Sequence, residues 1–309
     1  MYKARILITG GAGFIGTALA KRLQELKYEV ILIDFEHKFN LQHKEFEKYF
    51  VDIRYFKNFN IIKNKKFDFI FHLAAQTSGA ISQEEPELDV DTNVKGTLNV
   101  CNFAKICGVK KIIFTSSMAT YGDYQEKIKE DFLQKPLSNY GVSKVCTEHY
   151  IKSFEQFGIK NTIFRLFNVY GEGQDMFNLR QAMVGIFIAQ SIKSDIIEVT
   201  GSLDRYRDFV YISDVISALV LGLLEYTDGK IYNIGSGIKT TVREIIGLIL
   251  SINDKPKEEF KINNIGSHEG DQFGNVADNS NILTLGWNPK VDLVEDLKYA
   301  YKYAKEVLV

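Results

Sequence analysis

The sequence predicts an α/β fold, a doubly wound parallel sheet. Two observations carry this: apolar strand-like runs alternate with helical periodicity up to about Leu166, and the connections between them are short. A glycine-rich turn directly after the first run makes the sheet Rossmann-like. The first run, Ala4 to Thr9, has the unbroken apolar character of a strand buried on both faces. Thr17 to Lys27 then shows helical spacing, followed by strands at Glu29 to Ile33, near Tyr49 to Val51, and at Phe67 to Leu73. A helix at about Val90 to Cys107, a strand at Lys110 to Thr115, a helix at about Asn139 to Phe157 and a strand at Thr162 to Leu166 complete the rhythm.

After Arg165 the pattern loosens, with glycine and polar stretches at Gly171 to Asp175, Gly201 to Arg207 and Gly266 to Gly274. This reads as a smaller carboxyl-terminal cap domain that binds substrate over the carboxyl edge of the sheet, where open α/β sheets hold ligands. The expected division is 1–167 for the Rossmann-like domain, with returning segments at about 205–245, and 168–309 mainly for the cap. One strand, Lys230 to Ile234, and one helix, Thr241 to Ile252, are expected to return to the main domain. No internal repeat, low-complexity tract or long linker interrupts the chain.

With 309 residues and 45% hydrophobic content the chain can bury a large core. Its formal net charge of -1 indicates no polyanionic partner, and the run Lys63-Asn64-Lys65-Lys66 is too short for nucleic acid. Cys101, Cys107 and Cys146 have neither metal spacing nor a disulfide framework, so a reducing compartment and no metal are expected. The chain enters its first strand at once, without a signal-peptide pattern or an apolar run of bilayer length, which predicts a cytoplasmic protein with no membrane partner.

The turn is Gly10-Gly11-Ala12-Gly13-Phe14-Ile15-Gly16. Gly10, Gly13 and Gly16 allow a tight turn and close approach of backbone to a pyrophosphate at a helix amino terminus. Asp34 ends the second strand, where a carboxylate accepts both ribose hydroxyls of an adenosine and repels a 2′-phosphate; NAD is therefore expected over NADP. Asp52 and Ile53 follow the third strand and are placed at the adenine edge. In His72-Leu73-Ala74-Ala75 the small residues let backbone lie against the cofactor, whereas His72 reads as a core histidine.

Tyr140-Gly141-Val142-Ser143-Lys144 sets a phenol and an ammonium one helical turn apart on the same face. Alone, such a spacing also describes any solvated helix face. Beside a dinucleotide it suits proton removal from an alcohol coupled to hydride transfer, provided that the phenol pKa falls from about 10 to near 7, on the order of 4 kcal/mol. Lys144 and a cationic nicotinamide are the expected source of that fall.

Taken together, these motifs resemble the extended short-chain dehydrogenase/reductases of the nucleotide-sugar epimerase/dehydratase group, and most of all the UDP-glucose 4-epimerase branch. The resemblance runs over nearly the whole chain, through N-V-K-G-T at 93–97, S-S-M-A-T-Y-G at 116–122, R-L-F-N-V-Y-G at 165–171 and R-D-F-V-Y-I-S-D-V at 207–215. It implies that Ser117 bonds the reacting sugar hydroxyl and that Asn93 organises backbone near the cofactor. It further implies that Asn168, Asn178-Leu179 and Arg207 meet the nucleotide-sugar diphosphate, and that Asp271 meets the nucleotide ribose. Arg207 alternatively joins a surface ion-pair cluster with Asp204, Arg205 and Asp208. A homodimer through the helices at 90–107 and 139–157 is implied as well.

Three positions depart from the group's pattern. Met118 and Ala119 follow Ser117 where 4,6-dehydratases carry acidic residues, which argues against dehydration. His268 stands where the group has arginine, leaving its phosphate or ribose contact open. Asn275 takes the place of a bulky tyrosine gate and is expected to leave room for an N-acetyl group on the sugar. The implied function is NAD-dependent 4-epimerisation of a UDP-hexose, UDP-glucose or UDP-GlcNAc, through a 4-keto intermediate. An NAD(P)H-linked NDP-4-keto-sugar reductase, an epimerase of another NDP-sugar and a non-catalytic NAD-binding protein are the alternatives.

Overall fold

The computed structural model describes residues 2–266, 272–290 and 292–309. The leading strand, β1 (Arg5–Thr9), lies inside a sheet with Ile6, Leu7 and Ile8 fully buried, as its unbroken apolar run requires. Then come α1 (Phe14–Glu25), β2 (Glu29–Asp34), β3 (Glu47–Phe50) and β4 (Phe69–His72). The next stretch is helical throughout: α2 (Gly79–Glu84), α3 (Pro86–Asp89), a π turn (Val90–Lys95) and α4 (Gly96–Cys107). β5 (Lys111–Ser117), α5 (Asn139–Ser153) and β6 (Lys160–Leu166) complete the regular part.

Beyond it lie β7 (Asn168–Tyr170), α6 (Met183–Lys193), β8 (Ile196–Val199), β9 (Tyr206–Arg207), β10 (Phe209–Tyr211), α7 (Ile212–Leu221) and β11 (Lys230–Ile234). They are followed by β12 (Thr240–Thr241), α8 (Val242–Ile252), β13 (Lys261–Asn264), α9 (Ser280–Leu283) and α10 (Leu293–Leu308). The central sheet has seven strands in the order β11-β6-β5-β4-β1-β2-β3, every pairing parallel. Three two-stranded pairs, β10 with β7, β12 with β9 and β13 with β8, stand apart from it. This is the doubly wound α/β fold that the sequence predicts.

Side-chain alternation along β1 divides the core. Ile6 and Ile8 pack with Leu19 and Leu23 of α1 and Val215 and Leu219 of α7, while Leu7 packs with Val100 and Phe103 of α4. Each such side chain contributes roughly 1.5–3 kcal/mol by leaving water. A third cluster joins α6, α8 and α10 through Ile188, Ile245, Ile249 and Leu297. β11 does return to the main sheet, but the helix at 241–252 does not: α8 turns its buried face into this third cluster. Its amphipathic pattern is indifferent to which layer covers it, and the helix that packs on the main sheet from this half is α7. Among the described residues no helix is long and apolar enough to cross a membrane.

Candidate active site

A cleft of about 1890 Å³ opens at the carboxyl ends of the strands and runs from the glycine turn to the cap. At one end Gly10 has a φ of +69°, and a Cβ on it would lie 2.7 Å from the Ala74 backbone nitrogen. A Cβ on Gly16 would overlap the Gly10 carbonyl, so strand, turn and helix are in contact only because these positions lack side chains. α1 starts at Gly13 with no capping side chain and no acidic residue in its first turn. Its first N–H groups therefore offer the positive helix end that a pyrophosphate requires.

Asp34 lines this part of the cleft, and its carboxylate accepts from Ala12 N at 3.0 Å and Phe35 N at 2.8 Å. It thus clamps the glycine turn while lining the cleft. Burial pushes its pKa up, against the pull of those two backbone donors. Phe14, Ile15, Asp52, Ile53, Leu73, Ala74 and Ala75, the other residues expected from sequence to meet a dinucleotide, also line the cleft. Asp52 is already engaged by Arg54, whose Nε and Nη2 donate to it at 3.0 and 2.7 Å.

β5 and α5 bring the reacting groups together. Ser117 is the last residue of β5, and its hydroxyl accepts from Ala119 N at 3.1 Å. Ser138 caps α5 by accepting from Gly141 N, while Ser82 of α2 accepts from Tyr140 N at 3.0 Å. Lys144 is buried; its Nζ donates to the Thr115 carbonyl at 3.0 Å and lies 5.8 Å from the Tyr140 ring centre. Glu148, a further turn along, accepts from Ser116 at 2.5 Å and from Arg165 of β6 at 2.9 and 2.7 Å. That buried pair ties the end of β5 to the helix carrying Tyr140.

The protein's own groups act on the phenol in the opposite sense to the one its expected role requires. Burial pushes the Tyr140 pKa up to about 12, outweighing the hydrogen bond with Ser117, and the nearby charge of Asp89 adds to the rise. Burial also brings Lys144 down to about 8, with Asp89 and Glu148 resisting. Protein groups alone therefore favour the protonated phenol, because desolvation costs a phenolate more than the hydrogen bond with Ser117 returns.

His72 is the core histidine expected: it bridges Thr9 at 2.7 Å and Thr97 at 2.8 Å, and burial lowers its pKa to about 3. Asn93 sits in the π turn, buried away from the cleft lining rather than against the cofactor. Its amide grips the Gln76 backbone, accepting from N at 2.9 Å and donating to O at 3.0 Å, and also reaches Asp89 and Ser143. Its action is through the backbone.

At the cap end Asn168, Asn178, Leu179 and Arg207 all line the cleft. Asn168 is anchored by donating to the Asp208 carbonyl. Arg207 is no member of a surface cluster: it is buried, with Nη1 and Nη2 donating to the carbonyls of Phe273 and Gln272. Asp208 turns its carboxylate to the backbone of Ser236, Gly237 and Ala277, and Asp204 pairs with Arg243. His268 and Asp271 lie outside the described residues. Asn275 is fully buried and donates to the Gly122 carbonyl at 2.9 Å; Met118 and Gln272 line the cleft instead. Asn275 itself therefore does not line the cleft.

Sequence reasoning missed a strap. Arg180 pairs with Glu84 of α2, its carbonyl accepts from Ser78, and Gln181 donates to Thr77 at 2.6 Å, so segment 177–182 crosses from the cap to the main domain. None of these residues has a motif; their roles come from contacts about a hundred positions apart in sequence.

A profile of the NAD dependent epimerase/dehydratase family matches residues 6–235. A putative UDP-glucose 4-epimerase of Methanocaldococcus jannaschii is 35% identical over 97% of this chain and 98% of its own length. The Thermus thermophilus UDP-glucose 4-epimerase solved with NAD superposes with a TM-score of 0.90 at 29% identity, covering 97% of this chain and 99% of that one. The Thermotoga maritima UDP-glucose 4-epimerase solved with UDP-glucose does so with 0.89 at 33%, covering 99% and 100%. The chain belongs to the NAD-dependent epimerase/dehydratase family. It is an enzyme, and NAD is its cofactor.

Proposed function

We propose that this enzyme is a nucleotide-sugar epimerase, a UDP-hexose 4-epimerase working through a 4-keto intermediate. The observation that carries the reading is the meeting of Tyr140, Ser117 and Lys144 within one cleft that also holds the glycine turn and Arg207. Its volume, about 1890 Å³, exceeds the roughly 300–1,000 Å³ of an ordinary small-ligand site and suits a dinucleotide with a second nucleotide beside it.

Bound NAD supplies a reversible hydride acceptor and a positive charge near the phenol. Tyr140 takes the proton from the sugar O4 as C4 gives up its hydride, and returns a proton when the hydride comes back on the opposite face. Ser117 holds O4 beside the phenol. Lys144, fixed by the Thr115 carbonyl, keeps a positive charge near Tyr140 and binds the nicotinamide ribose. Arg207 offers guanidinium donors to the diphosphate, with Asn168, Asn178 and Leu179 completing that end. Met118 and Ala119, both lining the cleft, supply no acid or base for removing water, which favours epimerisation over dehydration. Asp271 is proposed for the nucleotide ribose.

UDP as the nucleotide is supported by the Methanocaldococcus and Thermotoga proteins named above. A homodimer is proposed through α4 and α5, whose outer faces expose Ile106, Val142 and Tyr150. The three free thiols, Cys101, Cys107 and Cys146, suit a cytoplasmic enzyme. Incubation of the purified protein with UDP-, GDP-, CDP- and dTDP-sugars, without added cofactor, tests the reading by which epimers form. Turnover only with added NADH or NADPH and a 4-keto sugar would make it a reductase instead.

A further inference from the structure

Asp89, at the end of α3, is 1% exposed, yet it forms no salt bridge among the described residues. Its Oδ1 accepts from two neutral amides, Gln76 Nε2 at 2.9 Å and Asn93 Nδ2 at 3.0 Å. Its Oδ2 is buried without any hydrogen-bond partner. A buried carboxyl oxygen without a partner is costly, which marks Asp89 as a side chain not explained by packing alone. The same Asn93 amide donates to Ser143, the residue before Lys144, so Asp89 is coupled to α5 by hydrogen bonds as well as by its field.

The other charged and titratable groups around the Tyr140 and Lys144 pair are accounted for. On α5, Glu148 is locked to Arg165 of β6. On β4, His72 is kept neutral by burial. On α2, Glu84 is exposed and paired with Arg180. On the π turn, Asp91 and Lys95 are exposed and paired with each other, and on β5 Lys111 pairs with Asp228 while Ser117 and the Thr115 carbonyl are neutral. Of the carboxylates whose charge acts on Tyr140 or Lys144, Glu148 is paired with Arg165 and Asp89 forms no salt bridge among the described residues.

We propose that Asp89 is a positioning residue for the reacting pair, a fixed negative charge, held in place by Gln76 and Asn93, that sets the pH range in which Tyr140 and Lys144 exchange protons. It keeps Lys144 an ammonium within a buried site, and at the same time it opposes ionisation of Tyr140 until a positive charge arrives beside the phenol. The phenolate then forms when the cofactor is in place rather than in the free protein. This rests on the proposed roles of Tyr140 and Lys144.

Asp89→Asn keeps the volume and the accepting oxygen while removing the charge. Ultraviolet difference titration, with Tyr140→Phe as the blank, reads the phenol directly and needs no turnover. The Tyr140 midpoint is expected to fall by about 0.5–1 unit, and both limbs of the pH–rate profile to move together toward acid with plateau kcat kept within about threefold. Should the new amide, buried where Oδ2 has no partner, prevent folding, Asp89→Ala removes the charge without adding a donor and must move the midpoint the same way even if kcat drops. An unchanged midpoint in the folded variant, or a lowered plateau with no shift, would reduce Asp89 to a structural role and overturn the proposal. Failure of the wild type to epimerise any nucleotide sugar would instead defeat the proposed reaction and leave the midpoints readable.

Discussion

Tyr140 is half-buried and bonded to Ser117, so removing its hydroxyl deletes the proton carrier without opening the core. Tyr140→Phe is expected to bind NAD and melt as the wild type does while losing about 10²–10⁴ in kcat, as loss of a general base does; retention of a tenth of the rate would dismiss the assignment. Asp34 makes a different kind of claim. Because its carboxylate lines the cleft and holds Ala12, and is proposed to accept the adenosine ribose hydroxyls, Asp34→Ser should weaken NAD, narrow the discrimination against NADP and loosen the glycine turn. Tighter binding of NADP than NAD by the wild type, measured by fluorescence titration, would contradict it. His72 gives a stability prediction with a definite sign. Its folded pKa of about 3 lies below its ordinary 6.5, so on acidification the unfolded chain takes up a proton that the folded chain refuses. Stability should fall as pH drops through that window, by at most about 1.4 kcal/mol per unit, and His72→Gln should lack this component. Urea midpoints that change alike in both proteins below pH 6.5 would show that His72 is not buried neutral.

Among elements, the turn between β1 and α1 was readable because its constraint is local: Gly10 and Gly16 lack side chains for reasons visible in a few neighbouring residues. Gly16→Ala should abolish NAD binding and lower the melting temperature, since its Cβ overlaps the Gly10 carbonyl; a variant that binds NAD with unchanged affinity would mean that the turn adapts freely. β1, β2 and β6 were equally legible, because strands buried on both faces leave unbroken apolar runs. α2 was not seen at all. It is six residues long and carries no distinctive periodicity, and its importance lies in Ser82 reaching Tyr140 N across 58 positions. The π turn around Asn93 was read as ordinary helix, for the same apolar spacing serves both. The rise of the Tyr140 pKa in the protein alone was not legible, because spacing reveals the neighbouring lysine but not the burial around the hydroxyl. The burial of Asn275 away from the cleft lining was not legible either, since a loop position says nothing of which way a side chain points.

On the scale of the whole molecule, α4 and α5 serve two purposes, one face completing the core with Val100, Phe103 and Ile151 and the other exposing Ile106, Val142 and Tyr150. The proposed isologous contact implies that Val142→Glu converts a dimer to a monomer by sedimentation at micromolar concentration, whereas a wild type that sediments as a monomer would refute the contact. Both halves of the molecule meet at the cleft, the glycine turn at one end and Arg207 at the other, so the reaction needs NAD and the nucleotide sugar together within it. The most direct test is incubation of the purified protein with UDP-glucose and no added cofactor, with hydrogen at the sugar C4 replaced by deuterium. UDP-galactose that retains deuterium at C4, formed without accumulation of free NADH, is the expected result. Product that has exchanged C4 deuterium for solvent hydrogen, or no product until reduced cofactor is supplied, would contradict an epimerisation in which the same hydride leaves and returns.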